Sequence, residues 1–368
     1  MSGTGDAGAG PMLGVRRLEA VAEITTHADV KAAAKDVVTY SSDVLGDRDV
    51  RTYRQLPLEV DPPEHGAYRA ILMPVFARQA VSGLEPALRE VAAGLAQAFA
   101  RRGRAEAVHE LALPMVGASI AIAFGRPQDA EELVGWGGES WETLPDGRRD
   151  GSRLERYLER VFAEADADPD AADAFAHVAR AQLDGRPPSR EERHGLGNLI
   201  LAGGRDTVIG LIAGAIWHLA RMPEERARLA ADPSRIPGAV EELLRYLSPL
   251  AGIERVVTTD VEGAWGHARA GEVVLLGFAA ANHDAAVFAD PGTVRLDRSP
   301  NPHVAFGNGP HTCIGVHLAR LEARVFLEEL LAAVPGWRLD GEAEIAWETV
   351  ADDRVPARFL RVPVAVVR

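Results

Sequence analysis

The 368-residue chain contains a single cysteine, Cys313, within the run Phe306-Gly307-Asn308-Gly309-Pro310-His311-Thr312-Cys313-Ile314-Gly315. The glycines make a tight loop, and the apolar periodicity that resumes after Gly315 predicts a helix beginning beside the sulfur. A thiol there faces the positive end of a helix dipole and unpaired backbone N–H groups, which favour the thiolate, the form that binds metals. Gly307 and Gly309 permit backbone conformations closed to other residues, and Gly315 leaves room for a flat ligand against the helix. In isolation a lone cysteine is more often a small buried hydrophobe. With only one, the chain can form no internal disulfide and no multi-cysteine zinc or iron–sulfur site.

Four other groupings have chemically useful spacing. In Gly203-Gly204-Arg205-Asp206-Thr207, two glycines interrupt a helical pattern at about 1 kcal/mol each relative to alanine. Such a break makes room for a small ligand and frees a carbonyl for the Thr207 hydroxyl or a water. His65 and Arg69, after Asp61-Pro62-Pro63-Glu64, stand four apart on one helix face and can reach one anionic edge. In Glu242-Leu243-Leu244-Arg245, residues three apart can hold a buried arginine in fixed geometry, with Arg298 as a further member. Arg255 and His303 stand in strand-like and loop-like segments. Taken singly, each has an ordinary meaning: a solvated face, a helical salt bridge or a packing contact.

These residues need a scaffold, and 47% hydrophobic residues suffice for a large core. The periodicity predicts a mainly α chain with small β-sheets, strands clustering near 14–24, 254–280 and 358–367. Val15–Ile24 reads as a short strand pair, Asp29–Val38 as a helix, and Leu45–Leu58 as a mobile loop. Helices are expected at about 61–77, 81–101, 109–124, 129–143 and 152–165. The capping pattern Ser189-x-x-Glu192 opens the longest helix, to Arg221 just before Pro223, on the order of 50 Å at about 1.5 Å per residue. Helices at 224–230 and 237–247, strands, the cysteine loop and a helix to about Val334 follow. We read residues 1–12 as a flexible N-terminus and 13–368 as a single domain. No segment reads as a signal peptide or membrane anchor, so a soluble, cytoplasmic protein is expected. A net charge of −14 argues against nucleic acid as the main partner.

Phe-Gly-x-Gly-x-His-x-Cys-x-Gly fixes six positions in ten and resembles the signature of the cytochrome P-450 family; the other groupings follow in that family's order. The resemblance implies a triangular helical prism whose long central helix passes over haem b (iron protoporphyrin IX). It makes Cys313 the axial ligand of the haem iron, with Phe306 beneath the thiolate and Gly307 and Gly315 in the cofactor loop. His65, Arg69, Arg255, His303 and His311 would meet the propionates, since two carboxylates in an apolar slot need charged partners. Gly203 and Gly204 would lie on the oxygen side, with Asp206 supplying protons through water and Thr207 orienting the bound oxygen. Glu242, Arg245 and Arg298 would form a structural ion-pair network that supports haem incorporation.

The activity implied is that of a monooxygenase acting with O2 on a small organic substrate, by oxygen insertion or oxidative coupling in secondary metabolism, with electrons from a ferredoxin or flavodoxin and a reductase. Thiolate ligation pushes electron density onto iron and favours O–O cleavage. Arg69, Arg78, Arg101, Arg102, Arg104, Arg320 and Arg324 could form a basic face for an acidic ferredoxin. Substrate contacts are expected from 46–58, 126–150, Leu250–Ile253 and Asp353–Pro356. Two departures stand out: Val208 where many relatives have a second threonine, and a His65 helix that begins early, so that an N-terminal helix and part of a sheet would be missing and the distal pocket more open. A haem-thiolate gas sensor or haem carrier, and a peroxide-driven member of the same fold, are the alternatives.

Overall fold

A computed structural model describes residues 20–44, 54–136, 142–143, 149–334, 336–350 and 353–367. Its helices are α1 (His27–Ala33), α2 (Glu64–Phe76), α3 (Arg78–Gly83), α4 (Glu85–Arg102), α5 (Leu113–Ala123), α6 (Ala130–Gly135), α7 (Ser152–Ala167), α8 (Ala174–Arg180), α9 (Arg190–Ala202), α10 (Asp206–Arg221), α11 (Pro223–Ala231), α12 (Ile236–Leu247), α13 (Phe278–Asn282) and α14 (Val316–Ala333). Strands are shorter: β1 (Ala22–Ile24), β2 (Tyr40–Ser41), β3 (Arg104–Glu106), β4 (Glu142–Thr143), β5 (Arg149–Asp150), β6 (Gly252–Val257), β7 (Val261–Gly263), β8 (Gly266–Ala268), β9 (Val273–Gly277), β10 (Trp337–Leu339), β11 (Glu344–Val350), β12 (Asp353–Arg361) and β13 (Pro363–Val366).

The largest sheet has the order β1-β9-β6-β2, with β1 parallel to β9 and the other pairings antiparallel. A three-stranded sheet, β10-β13-β3, and the hairpins β11-β12, β4-β5 and β7-β8 complete the β structure. Of the strand pair expected over Val15–Ile24, the described residues hold β1, which finds its partner in β9 some 250 positions away; the part before residue 20 lies outside the described residues, as does most of the loop expected at 45–58. The helix expected at Asp29–Val38 stops at Ala33.

The Ser189 hydroxyl accepts the Glu192 N–H at 3.2 Å while the Glu192 carboxylate accepts the Ser189 N–H at 2.6 Å, so α9 starts with both orphan donors satisfied. Instead of one continuous helix to Arg221, α9 ends at Ala202 and α10 begins at Asp206, the break falling on Gly203, Gly204 and Arg205. Beyond it, α10 is apolar on nearly every side and buried from Val208 to Leu219 apart from Gly210, as a helix enclosed by neighbours must be. The stretch Arg190–Arg221 is long and apolar enough to cross a membrane by length and composition, but two thirds of its apolar window is buried inside the protein.

Most buried apolar side chains fall into a large helical cluster centred on α4, α5, α10, α12 and α14 and a smaller one between the four-stranded sheet and α1, with a third, minor cluster of Ala279, Val350 and Val355. The seam between the two larger cores holds the site.

Candidate functional site

The cysteine loop owes its shape to backbone bonds. Cys313 N–H donates to the Phe306 carbonyl at 2.9 Å, Gly307 N–H to Val304 at 2.8 Å, and Thr312 N–H to Gly309 at 3.1 Å. Gly307 and Gly309 have φ of 71° and 76°, and a side chain at Gly309 would run into the Ala34 carbonyl. α14 starts at Val316, three residues past the sulfur. Gly315 has an ordinary φ of −80°; a Cβ there would stand 3.8 Å from the Cys313 sulfur, so its value is space.

Above the loop opens a cavity of about 1520 Å³, counting its mouth. Cys313, Phe306, Gly307 and Gly315 line one wall, and Gly203, Gly204 and Thr207 from the helix break line another. His65, Arg69, Arg255 and His311 also line it. The remaining wall is apolar, with Leu199, Ile200, Val208, Leu250 and Ile253 among its members.

Cys313 is exposed and lines this cavity, and burial of the thiol pushes it up, against the Gly315 backbone hydrogen bond and the charges of Arg69 and Arg320. For the thiol, desolvation thus opposes the features that the sequence suggested would ionise it.

The basic residues share one region. α2 places His65 and Arg69, β6 places Arg255, and His311 lies in the turn Gly309–His311. The rings of His65 and His311 are 4.3 Å apart, and the Ser42 hydroxyl meets His311 Nε2 at 2.9 Å. Burial, helped by Arg255, His65 and Arg69, pushes His311 down to about 3; burial also lowers Arg255 to about 10 despite Asp61. His65 is lowered by burial and by Arg69. Among the described residues no carboxylate ion-pairs with Arg69 or Arg255, and the buried Nε2 of His65 has no partner. One buried and one half-buried guanidinium group and an orphaned ring nitrogen beside an apolar slot fit a flat apolar ligand with an anionic edge. Haem meets that description, with Cys313 able to take its iron.

At the helix break, the Thr207 hydroxyl lies 3.5 Å from the Gly203 carbonyl, at the long limit of a hydrogen bond, so it remains available to a ligand or water. Asp206 opens α10 but does not line the cavity. Arg205, which has no motif role, is almost fully buried and lies over the Trp136 ring, 5.8 Å from its centroid. Burial lowers it to about 10 against the attraction of Asp206.

Glu242, Arg245 and Arg298 come together. Glu242 accepts from Arg245 Nε and Nη2 at 2.8 Å each, from Arg298 Nε at 3.0 Å and from the Arg295 N–H at 2.8 Å. Arg245 Nη1 also donates to the carbonyls of Asn282 and Pro291, tying α12 to the loop before the cysteine segment.

Three expectations are corrected. His303 does not line the cavity; its ring turns to Glu241, whose carboxylate lies 3.1 Å from Nε2. The basic docking face is largely neutralised, because Arg102 pairs with Glu110, Arg104 with Asp340, Arg320 with Glu241, and Arg324 with Glu85 and Glu328, while Arg69 faces the cavity. Among the described residues Arg69, Arg78 and Arg101 of that set lack an ion pair. Of the expected substrate segments, Pro57, Leu58, Leu250 and Ile253 line the cavity; the described parts of 126–150 and Asp353–Pro356 do not, and 46–53, 137–141 and 144–148 lie outside the described residues.

One titratable cavity residue escaped sequence reading. Glu322 of α14 is 2% exposed and accepts a hydrogen bond from the buried Ser119 hydroxyl; burial pushes it up to about 8. The signal was an acid on the apolar stripe of Leu318, Leu321 and Val325.

The family profile "Cytochrome P450", hereafter cytochrome P-450, matches residues 236–333, which include α12 and the cysteine loop. The pentalenic acid synthase of Streptomyces avermitilis is 35% identical over 80% of this chain and 74% of its own length. The vitamin D3 dihydroxylase of Streptomyces griseolus is 36% identical over 79% and 72%. The solved structure of a carbohydrate-active cytochrome P-450 superposes with a TM-score of 0.86 at 31% identity, covering 94% of this chain and 91% of that one. With its loop thiol, helix break and basic cluster around one cavity, the chain belongs to the cytochrome P-450 family and is a haem-thiolate monooxygenase.

Proposed function

We propose that residues 13–368 form one cytoplasmic catalytic domain that holds haem b through Cys313 and inserts oxygen into, or oxidatively couples, a small organic substrate of secondary metabolism. For insertion, one atom of O2 enters the substrate and the other leaves as water, consuming two protons and two electrons from a ferredoxin or flavodoxin and its reductase. The observation that carries this reading is the single cavity that joins Cys313, the Gly203-Gly204-Thr207 break and the basic cluster.

When bound, the haem supplies oxygen activation. His65, Arg69, Arg255 and His311 bind and orient its carboxylates, and the apolar wall from Leu199 to Ile253 excludes water and packs the substrate. The Thr207 hydroxyl holds a proton facing the cavity. Asp206, outside the lining, acts through water or through Thr207. Glu242, Arg245 and Arg298 fix the frame that carries the loop.

The test is the absorption spectrum of the reduced protein under carbon monoxide, for wild type and Cys313→Ser. A thiolate-type band that the serine variant lacks is expected; a histidine-type spectrum in the wild type refutes the ligand assignment. Turnover driven by NAD(P)H through surrogate ferredoxin and reductase separates an oxygenase from a gas sensor or haem carrier, and equal turnover with peroxide alone would favour the peroxide-driven alternative.

A further inference from the structure

Beside the cysteine loop, three polar side chains and one ring from α12, α14 and the segment before the loop meet in an arrangement that the preceding steps leave unused. Glu241 precedes the enclosed Glu242 on α12 and is itself partly exposed. It accepts Nε and Nη2 of Arg320, each at 2.7 Å, the parallel two-bond geometry that immobilises a guanidinium. It also meets His303 Nε2 at 3.1 Å. The Ala305 N–H donates to His303 Nδ1 at 3.3 Å, so Nδ1 carries the lone pair and Nε2 the proton that points to Glu241.

The guanidinium held this way lies over Phe306, 4.7 Å from the ring centroid, and the His303 ring lies 6.1 Å from the same centroid. Phe306 in turn lines the cavity, and its carbonyl takes the Cys313 N–H. A lone arginine on the exposed side of α14 would sample many rotamers. Glu241 removes that freedom, so the guanidinium, 39% exposed, has a fixed place against a ring that lines the same cavity as the sulfur.

We propose that Glu241, His303 and Arg320 are positioning residues that fix the Phe306 ring and hold one positive charge behind the Cys313 sulfur, and thereby set the reduction potential of the iron bound there. This rests on the reading of Cys313 as the haem ligand. Removing the positive charge favours the ferric state, which carries one more positive charge than the ferrous, and so lowers the potential. Removing the negative charge of Glu241 leaves the guanidinium unscreened and raises it.

The test is a spectroelectrochemical titration of the haem-loaded protein, with the carbon monoxide spectrum recorded for each variant. Arg320→Gln is expected to shift the potential downward, Glu241→Gln upward, and Arg320→Lys to lie closer to wild type than Arg320→Gln. A salt bridge that only stabilises the fold gives no such opposition of sign. If every variant keeps the thiolate-type band but the two glutamine variants match wild type or move together, the inference fails. Should Glu241→Gln not retain haem, the Arg320 pair decides: a downward shift in Arg320→Gln that Arg320→Lys reverses supports the cluster, and equal potentials overturn it. A wild type without the thiolate-type band refutes the ligand assignment itself, a result distinct from either.

Discussion

Replacing Glu242 by alanine isolates the energetic role of the buried network. The carboxylate is fully enclosed, as is Arg245, and the Arg298 side chain is 5% exposed. Its loss leaves Arg245 Nε, Arg298 Nε, the Arg295 N–H and the Asn301 amide without their shared acceptor. Arg245 keeps the carbonyls of Asn282, Pro291 and Thr293, so its hydrogen bonding is only partly lost, but no countercharge remains within the pocket. Breaking a buried pair in this way costs about 3–5 kcal/mol, because an uncompensated charge stays behind. Against a total stability of about 5–15 kcal/mol that is a large fraction. At roughly 2 °C per kcal/mol for a large domain, the expected fall in Tm is on the order of 6–10 °C, with loss of bound haem. Glu85→Ala is the control: it pairs with Arg89 and Arg324, but all three side chains are between 26% and 36% exposed. Solvent screening limits that network to about 1 kcal/mol. Thermal unfolding by far-ultraviolet circular dichroism, with haem content from absorbance, measures both. Equal Tm for the two variants, or full haem occupancy in Glu242→Ala, refutes the reasoning.

Glu322 yields a pH dependence. Its carboxyl is raised from 4.5 to about 8 in the folded chain, so between those values the fold holds a proton that the unfolded chain has released. Stability then falls as pH rises through that window, by at most about 1.4 kcal/mol per pH unit, and Glu322→Gln removes the slope; denaturant titrations of both proteins that run parallel across the window would contradict this. Thr207→Ala removes the hydroxyl that faces the cavity and should leave oxygen consumption running while product per oxygen falls; unchanged coupling counts against a proton role. In α10, a Cβ at Gly214 would approach Leu247 to 2.5 Å, whereas Gly210 has nothing within 4 Å. Gly214→Val should therefore destabilise by about 1–3 kcal/mol through overpacking, and Gly210→Ala should stabilise by up to about 1 kcal/mol; equal Tm for both variants would show that α10 does not pack as described.

Much of the site was legible because its residues answer local demands. Gly307 and Gly309 are needed where φ is positive, and Gly203 with Gly204 end a helix that the apolar pattern would otherwise continue. His65 and Arg69 share a face by helical spacing alone, and Glu242 and Arg245 meet for the same reason. What could not be read depends on partners distant in sequence. β1 pairs with β9 because both present apolar residues to one small core, a choice that no local pattern encodes. The family resemblance made His303 a propionate contact, but Glu241 is the carboxylate that the fold brings to it, and the same glutamate captures Arg320. A sequence displays the sign of each charge and leaves unsaid which opposite charge cancels it, so four of the seven arginines grouped as a docking face become, once folded, members of local pairs. By the same reasoning, the cations that matter in this cavity are those without an ion-paired carboxylate among the described residues: Arg255 is buried and Arg69 half-buried beside an apolar slot, burial lowers both despite the attraction of Asp61 for Arg255, and a ligand that brings its own negative charge offsets that desolvation.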